Sequence, residues 1–79
     1  MTYLKDKEVA KIAKLIETYI GEHPEASDSI EGITTWWISI SNNNKQKELV
    51  NLAIDTLISK NVLTKFMSND GQFIYKKFK

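Results

Sequence analysis

The sequence contains no cysteine, no arginine and a single histidine, His23. Without cysteine, it can form no disulfide, no thiolate metal site and no cysteine nucleophile. One histidine leaves no second imidazole for a zinc site. We therefore expect no metal ion and no cofactor. The composition is compatible with a reducing cytoplasm, which is the location that we expect.

Long apolar stretches are also missing. None approaches the roughly 20 residues that span a bilayer, and the start shows no signal peptide, so we expect no membrane contact. The 79 residues are predicted to form a single domain, 1–79, which has little room for a substrate pocket. Glycine-rich phosphate loops and nucleophile-elbow motifs are absent as well. These features predict a protein that is not an enzyme and takes no small-molecule substrate.

The charge is small overall but unevenly distributed. The net charge of +1 combines four lysines and seven acidic residues in 1–41 (−3) with seven lysines and three acidic residues in 42–79 (+4). All eleven basic residues are lysine, which lacks the bidentate geometry that arginine offers to guanine and phosphate. An AT-rich coding sequence would give the same lysine usage, so the absence of arginine has two explanations.

A first helix is predicted over about 4–20, because apolar residues recur there at steps of three and four. Gly21 is expected just after its end, and Pro24 prevents continuation. The residues predicted to face the core are Val9, Ile12, Ala13, Ile16, Tyr19 and Ile20.

A second helix is predicted to start with Asp28 as its N-cap and Glu31 as the reciprocal residue of a capping box. The apolar stripe that follows at helical spacing consists of Ile30, Ile33, Trp37 and Ile40. At about 100° per residue, Trp37 lies near the middle of this stripe and Trp36 about 80° away from it. Trp37 is therefore predicted to be core, and Trp36 to lie at the rim.

A third helix is predicted over about 45–60, after an asparagine-rich turn in which Asn43 can act as N-cap with Gln46 three positions later. Asn61 suits the left-handed position that ends a helix. The residues predicted to face the core are Leu49, Val50, Ala53, Ile54, Leu57 and Ile58.

Two strands are predicted at 62–67 and 73–78, joined by "SNDGQ", whose Asp-Gly pair favours a hairpin. Three helices followed by a C-terminal two-stranded hairpin resemble the winged-helix variant of the helix-turn-helix, over about 4–78. "GITTWWI" and "NDGQFIYKKF" are similar to short bacterial winged-helix proteins that have no assigned activity and carry a Gly-Ile-x-x-Trp-Trp-Ile/Leu motif. The resemblance implies an α+β, three-helix winged-helix domain with a hairpin wing.

In winged-helix proteins the third helix usually enters the major groove of DNA, and the wing contacts the backbone or the minor groove. The outward face of the predicted third helix consists of Asn44, Glu48, Asn51, Leu52, Asp55 and Ser59. In the major groove, Glu48 and Asp55 would lie close to phosphates and to the hydrogen-bond acceptors of the bases, and no arginine is present to offset their negative charge. This face counts against ordinary major-groove recognition.

The lysines near this helix and in the wing favour DNA binding instead. Lys45 and Lys47 lie in the first turn of the third helix, where exposed amides favour an anion such as phosphate. Hydrogen bonds to the DNA backbone are expected from Asn42, Asn43 and Asn44. A second basic cluster, in the wing, consists of Lys65, Lys76, Lys77 and Lys79. Two interpretations stay open: a solvated surface that protects exposed strand edges, or non-specific phosphate contact.

Trp36 also has two interpretations. Because large rings are usually buried, partial burial against the first helix or the wing is the more ordinary one. The other is an anchor for a partner protein, since tryptophan is over-represented among interface hot spots. Leu52 and Ile38, predicted to face outward from the third and second helices, favour the anchor if they form one patch with Trp36.

Together these features predict a non-catalytic winged-helix module that binds another protein or a second copy of itself through the surface of its second and third helices. The alternative is a DNA-binding, transcription-related domain. Its phosphate contacts would come from Asn43, Asn44, Lys45, Lys47, Lys65, Lys76 and Lys77.

Overall fold

The computed structural model of the chain describes residues 2–40 and 43–78. It has an α+β fold whose elements are α1 (Thr2–Glu22), β1 (Ser27–Asp28), α2 (Ile30–Gly32), a π turn (Ile33–Trp37), α3 (Asn44–Ser59), β2 (Leu63–Met67) and β3 (Phe73–Lys77). The roles expected for Asn42 and Lys79 lie outside the described residues. Within the described ranges, no helix combines the length and the apolar content that crossing a bilayer requires.

Helix α1 extends past its predicted end. The amide of His23 donates to the carbonyl of Tyr19 at 2.8 Å, which continues the helical bonding beyond Gly21. Placing Gly21 after the helix was therefore wrong. The helix ends at Glu22, two residues before Pro24, which has no amide hydrogen to donate.

The core lies between α1, α3, the π turn and the base of the sheet. Trp37 is 8 % exposed and stacks on Tyr19 with ring centroids 4.9 Å apart, so the prediction of a core ring is confirmed. The predicted stripes of the first and third helices also face inward. The buried apolar residues are Ile12, Ala13, Ile16, Ile20, Ile33, Trp37, Leu49, Val50, Ala53, Ile54, Leu57, Leu63 and Tyr75.

Helix α2 is capped one residue later than predicted. Ser29 is the N-cap, and its hydroxyl accepts from the amide of Gly32 at 3.3 Å. The prediction that Asp28 caps this helix was wrong, because the backbone of Asp28 is extended and pairs with Tyr75 of β3. The carboxylate of Asp28 instead accepts from the amide of Ser29 at 2.8 Å. That bond fixes the entry of the chain into α2.

Gly32 has a steric role next to this cap. A β-carbon at position 32 would overlap the carboxylate of Asp28. Gly32 thus lies directly against the Asp28 side chain, and a residue with a β-carbon would force that carboxylate away from the Ser29 amide. This close approach accounts for the glycine that begins the "GITTWWI" segment.

Helical bonding widens after Gly32 into a π turn. The hydroxyl of Thr34 donates to the carbonyl of Ile30 at 2.7 Å, which is the acceptor that an α-helix would offer to the amide of residue 34. The amide of Ile38 then bonds the carbonyl of Ile33, five residues back, at 3.2 Å. Thr34 is fully buried, and this hydrogen bond satisfies its hydroxyl.

The sheet has three antiparallel strands in the order β1-β3-β2, not the two strands predicted. The predicted hairpin is present, with Leu63 opposite Lys77 and Met67 opposite Phe73. The extra strand, β1, pairs with the other side of β3, where Ser27 lies opposite Lys76. It therefore ties the connector after α1 to the base of the hairpin.

The left-handed position predicted at Asn61 and the hairpin turn predicted at Asp-Gly are both confirmed. Asn61 has φ 63° and ends the helix, and Gly71 has φ 84° in the hairpin turn. Across that turn the amide of Ser68 donates to the carbonyl of Gln72 at 2.8 Å. Glycine suits this position because φ is positive there.

Candidate interaction surfaces

The outward face of α3 is solvent-exposed, as predicted. Glu48 and Asp55 both lie on it, and every other member of the face (Asn44, Asn51, Leu52 and Ser59) is exposed as well. Asp55 and Glu31 are near enough to the Tyr75 hydroxyl to act on its ionisation. The pKa of Tyr75 is raised by burial first, and then by the negative charges of Asp55 and Glu31. Two carboxylates therefore lie close to Tyr75 where α2, α3 and β3 meet.

Two polar residues at the start of α3 form contacts with other residues of the chain. Asn43 is the N-cap, as predicted, and its side-chain oxygen accepts from the amide of Gln46 at 2.9 Å. Lys47 forms an ion pair with Glu31 of α2, with Nζ and Oε2 separated by 3.6 Å. Asn44 and Lys45 are exposed. Of the four described residues expected to contact phosphate here, two thus have structural partners.

Among the large apolar side chains that the structure describes, Trp36 is the most exposed, at 73 %. The expectation of partial burial was wrong. The π turn directs its neighbour Trp37 into the core, where Tyr19 covers one face of that ring. His23 packs on Tyr19 in turn, with centroids 4.4 Å apart. This stack occupies the inner side of the turn and leaves Trp36 on its outer side.

The three residues proposed for one contact patch have different environments. Leu52 is 37 % exposed on the outward face of α3, as predicted. Ile38 packs against the core and is partly buried, so its predicted outward position was wrong. The reason is the π turn, which ends the helical periodicity on which the prediction relied. Trp36 and Leu52 remain as exposed candidates.

The hairpin exposes phenylalanine beside lysine on both of its faces. The Nζ atom of Lys65 lies 4.7 Å from the ring centroid of Phe73, and that of Lys76 lies 5.4 Å from the centroid of Phe66. Both rings are 44 % exposed. Such pairs contribute about 0.5–1 kcal/mol at exposed sites. The wing lysines Lys65, Lys76 and Lys77 are all exposed, as both interpretations of them require.

The tip of the hairpin is acidic. The hydroxyl of Ser68 donates a hydrogen bond to the carboxylate of Asp70. This bond is the main reason why the pKa of Asp70 lies below its usual value. Asp70 therefore stays ionised at neutral pH and repels phosphate from the end of the wing.

The sequence reasoning singled out none of the apolar side chains of the hairpin. Phe66, Met67, Phe73 and Phe78 are all substantially exposed, with Met67 at 57 %. A signal was present for three of them: in a hairpin of two five-residue strands, Phe66, Met67 and Phe73 lie next to the turn, whereas Phe78 lies at the base, where its amide bonds the carbonyl of Val62. Short strands carry too few apolar positions for periodicity alone to show which of them face solvent.

Comparisons of the chain with protein-family models, curated proteins and solved structures find no match.

Proposed function

We propose that the chain is a non-catalytic binding module that docks another protein through a surface containing Trp36. The exposure of Trp36 carries the proposal. A ring of this size, 73 % exposed, loses much of its contact with water when a partner covers it. Tryptophan is also the residue most often found at interface hot spots.

The neighbouring tryptophan supports this assignment. Trp37 accounts for the packing of the turn, since it lies in the core against Tyr19. Trp36 adds nothing comparable to the fold, because most of its surface faces solvent. An exposed ring of this kind makes its principal contribution in a complex.

The charge of α3 favours a protein partner over duplex DNA. Its outward face presents Glu48 and Asp55. A phosphate backbone would be repelled by these carboxylates. Lys47 already pairs with Glu31, so its charge is partly neutralised.

For the scaffold we propose a winged-helix domain. The order of three helical elements and a C-terminal hairpin supports it, and the additional strand β1 leaves that order unchanged. The resemblance bears on the scaffold alone, because one fold serves many functions.

Site-specific photo-cross-linking tests the binding surface. A benzoylphenylalanine at position 36 should give a discrete protein adduct in cells, identified by mass spectrometry. The same cross-linker at Leu15, an exposed apolar residue of α1, serves as the matched control and should give none. With the identified partner purified, Trp36→Ala should weaken binding roughly tenfold or more, and Leu15→Ala much less. Equal adducts from both positions would contradict the proposal.

DNA binding remains the second candidate, and the exposure of Lys45, Lys65, Lys76 and Lys77 supports it. It requires an affinity for duplex DNA that falls steeply with salt and drops for Lys45→Glu. Lys14→Glu on α1 is the control for a change of net charge. Under this alternative Trp36→Ala leaves the affinity unchanged, which separates the two candidates in one set of titrations.

A further inference from the structure

The outer edge of β2 has unpaired backbone groups. The amide of Phe78 bonds the carbonyl of Val62 at 3.0 Å, and that of Ser68 bonds the carbonyl of Gln72 at 2.8 Å. Because bonded and non-bonded pairs alternate along an antiparallel ladder, the even-numbered residues of β2 bond β3. Leu63, Lys65 and Met67 therefore direct their amides and carbonyls away from it. Among the described strands, β2 is the last in the sheet on this side.

The accessible part of this edge is short. Leu63 is fully buried, whereas Lys65 and Met67 are exposed. The open groups thus lie at the distal half of the hairpin, beyond the part that packs on α3. An added strand would pair there with Lys65–Met67.

Charge defines what this edge can accept. Neither β2 nor β3 contains an acidic residue, and they contribute Lys65, Lys76 and Lys77. Lys65 belongs to the edge strand itself, so the residue opposite it in an added strand would lie directly beside its ammonium group. On the other face, Phe66 offers an apolar surface with Lys76 next to the ring.

We propose that this edge binds an extended acidic segment of another protein, which adds to the sheet as a fourth strand. Backbone hydrogen bonds to Lys65 and Met67 supply the pairing, and alternate side chains supply the selectivity. A carboxylate opposite Lys65 forms a cross-strand pair of opposite charge. The next residue of the segment is apolar and covers the exposed side of Phe66. The site goes beyond the surface around Trp36 and lies on different elements.

Lys65 also determines which partners the edge disfavours. A second copy paired about Lys65 would bring two ammonium groups directly opposite each other, which is destabilising. Nucleic acid would use the lysines but not the strand amides, and the ionised Asp70 at the tip repels it. The unpaired amides and the lysines together favour an acidic strand.

Fluorescence anisotropy with a defined probe tests the proposal. The probe is an end-blocked peptide of alternating glutamate and valine, and the control is the same peptide N-methylated at every residue, which keeps its charge but has no amide hydrogen to donate to an edge. The unmodified peptide should bind, with amide shift changes in NMR spectra at Lys65 and Met67. The N-methylated peptide should not bind.

Two variants of the protein sharpen this test. Lys65→Glu should weaken the peptide roughly fivefold or more, because an opposite-charge pair becomes a like-charge pair, whereas Lys14→Glu on α1 should have a smaller effect. Met67→Pro removes an amide that faces away from β3, so it should abolish binding and leave the circular dichroism spectrum of the fold intact.

Several results would overturn the proposal. The proposal fails if the glutamate–valine peptide does not bind, or if its N-methylated form binds equally well. It also fails if Lys65→Glu and Lys14→Glu weaken peptide binding to the same extent. A single-stranded oligonucleotide that displaces the peptide and is insensitive to Met67→Pro would assign the surface to nucleic acid. A concentration-dependent mass that Met67→Pro abolishes would assign the edge to a second copy. None of these results bears on the photo-cross-linking at position 36.

Discussion

Trp37 of the helical part and the phenylalanines of the hairpin differ in what covers their rings. Among the helices, Trp37 is 8 % exposed and is stacked between the core and Tyr19. In the hairpin, Phe66 and Phe73 keep nearly half of their surface in contact with solvent, and a lysine ammonium lies over each ring. What covers a ring therefore indicates its role: packed rings stabilise the fold, whereas rings beside an exposed lysine contribute less to it and, under our proposal, are available to a partner.

The strongest test of this comparison is to truncate the packed ring and two of the exposed rings. Trp37→Ala should lower the free energy of unfolding by about 3–5 kcal/mol, because it leaves a cavity in the core. Phe73→Ala and Trp36→Ala should each change it by about 1 kcal/mol or less, since the rings that they remove are largely solvated. Urea unfolding monitored by circular dichroism measures all three.

If Trp37→Ala does not fold, Trp37→Phe replaces it, because it keeps an aromatic surface against Tyr19 and creates a smaller cavity. A loss for Phe73→Ala as large as that for the Trp37 variant would mean that the hairpin rings are structural. The comparison would then fail.

Gly32 gives the next largest effect and tests how tightly the helical part is packed. Gly32→Ala should destabilise the fold by about 1–3 kcal/mol, because its methyl group overlaps the carboxylate of Asp28. Asp28→Ala removes that carboxylate, so the double variant should lose less than the sum of the two single variants. A double-mutant cycle of unfolding free energies measures this coupling. Additive losses would show that the clash is relieved elsewhere.

Local rules were sufficient to predict much of this structure. The N-cap at Asn43, the left-handed Asn61 and the turn at Gly71 each depend on one residue and its immediate neighbours. The core stripe of α3 depends on a single period, and its prediction correctly placed Glu48 and Asp55 in solvent. Predictions of this kind need no knowledge of tertiary contacts.

The errors arose where distant residues decide the local structure. Strand β1 has two residues and exists because β3, far along the chain, offers it a free edge. That pairing moved the helix cap from Asp28 to Ser29. The π turn displaced Ile38. Its amide bonds the carbonyl five residues back, and the helical periodicity on which the prediction relied ends there. Residue propensities give no direct signal for any of these features.

A smaller effect is expected from the contact between Lys76 and Phe66. If the cation–π geometry contributes to stability, the double-mutant cycle of Lys76→Ala and Phe66→Leu should show a coupling of about 0.5 kcal/mol, given the exposed position. The pair of Lys77→Ala with Phe66→Leu is the control, because Lys77 has the same charge and lies on the opposite face of β3. Thermal unfolding at low and high salt measures both cycles. Equal coupling in the two would indicate general charge effects instead of a contact.

Tyr75 gives the smallest expected effect and connects the two regions, since it is the buried ring of the hairpin. Burial, followed by the charges of Asp55 and Glu31, raises its pKa above 10.0. The folded state therefore holds the phenolic proton more tightly than the unfolded state does. The resulting stabilisation is complete below pH 10 and is lost as the pH rises through the folded pKa.

Tyr75→Phe should flatten this alkaline decline in stability, because the lysines contribute equally to both proteins. Asp55→Asn should also make the decline smaller, because removing one of the charges brings the folded pKa of Tyr75 closer to the unfolded one. Denaturant titrations between pH 8 and 11 measure the difference, and identical slopes for the native chain and Tyr75→Phe would place the hydroxyl in free contact with solvent.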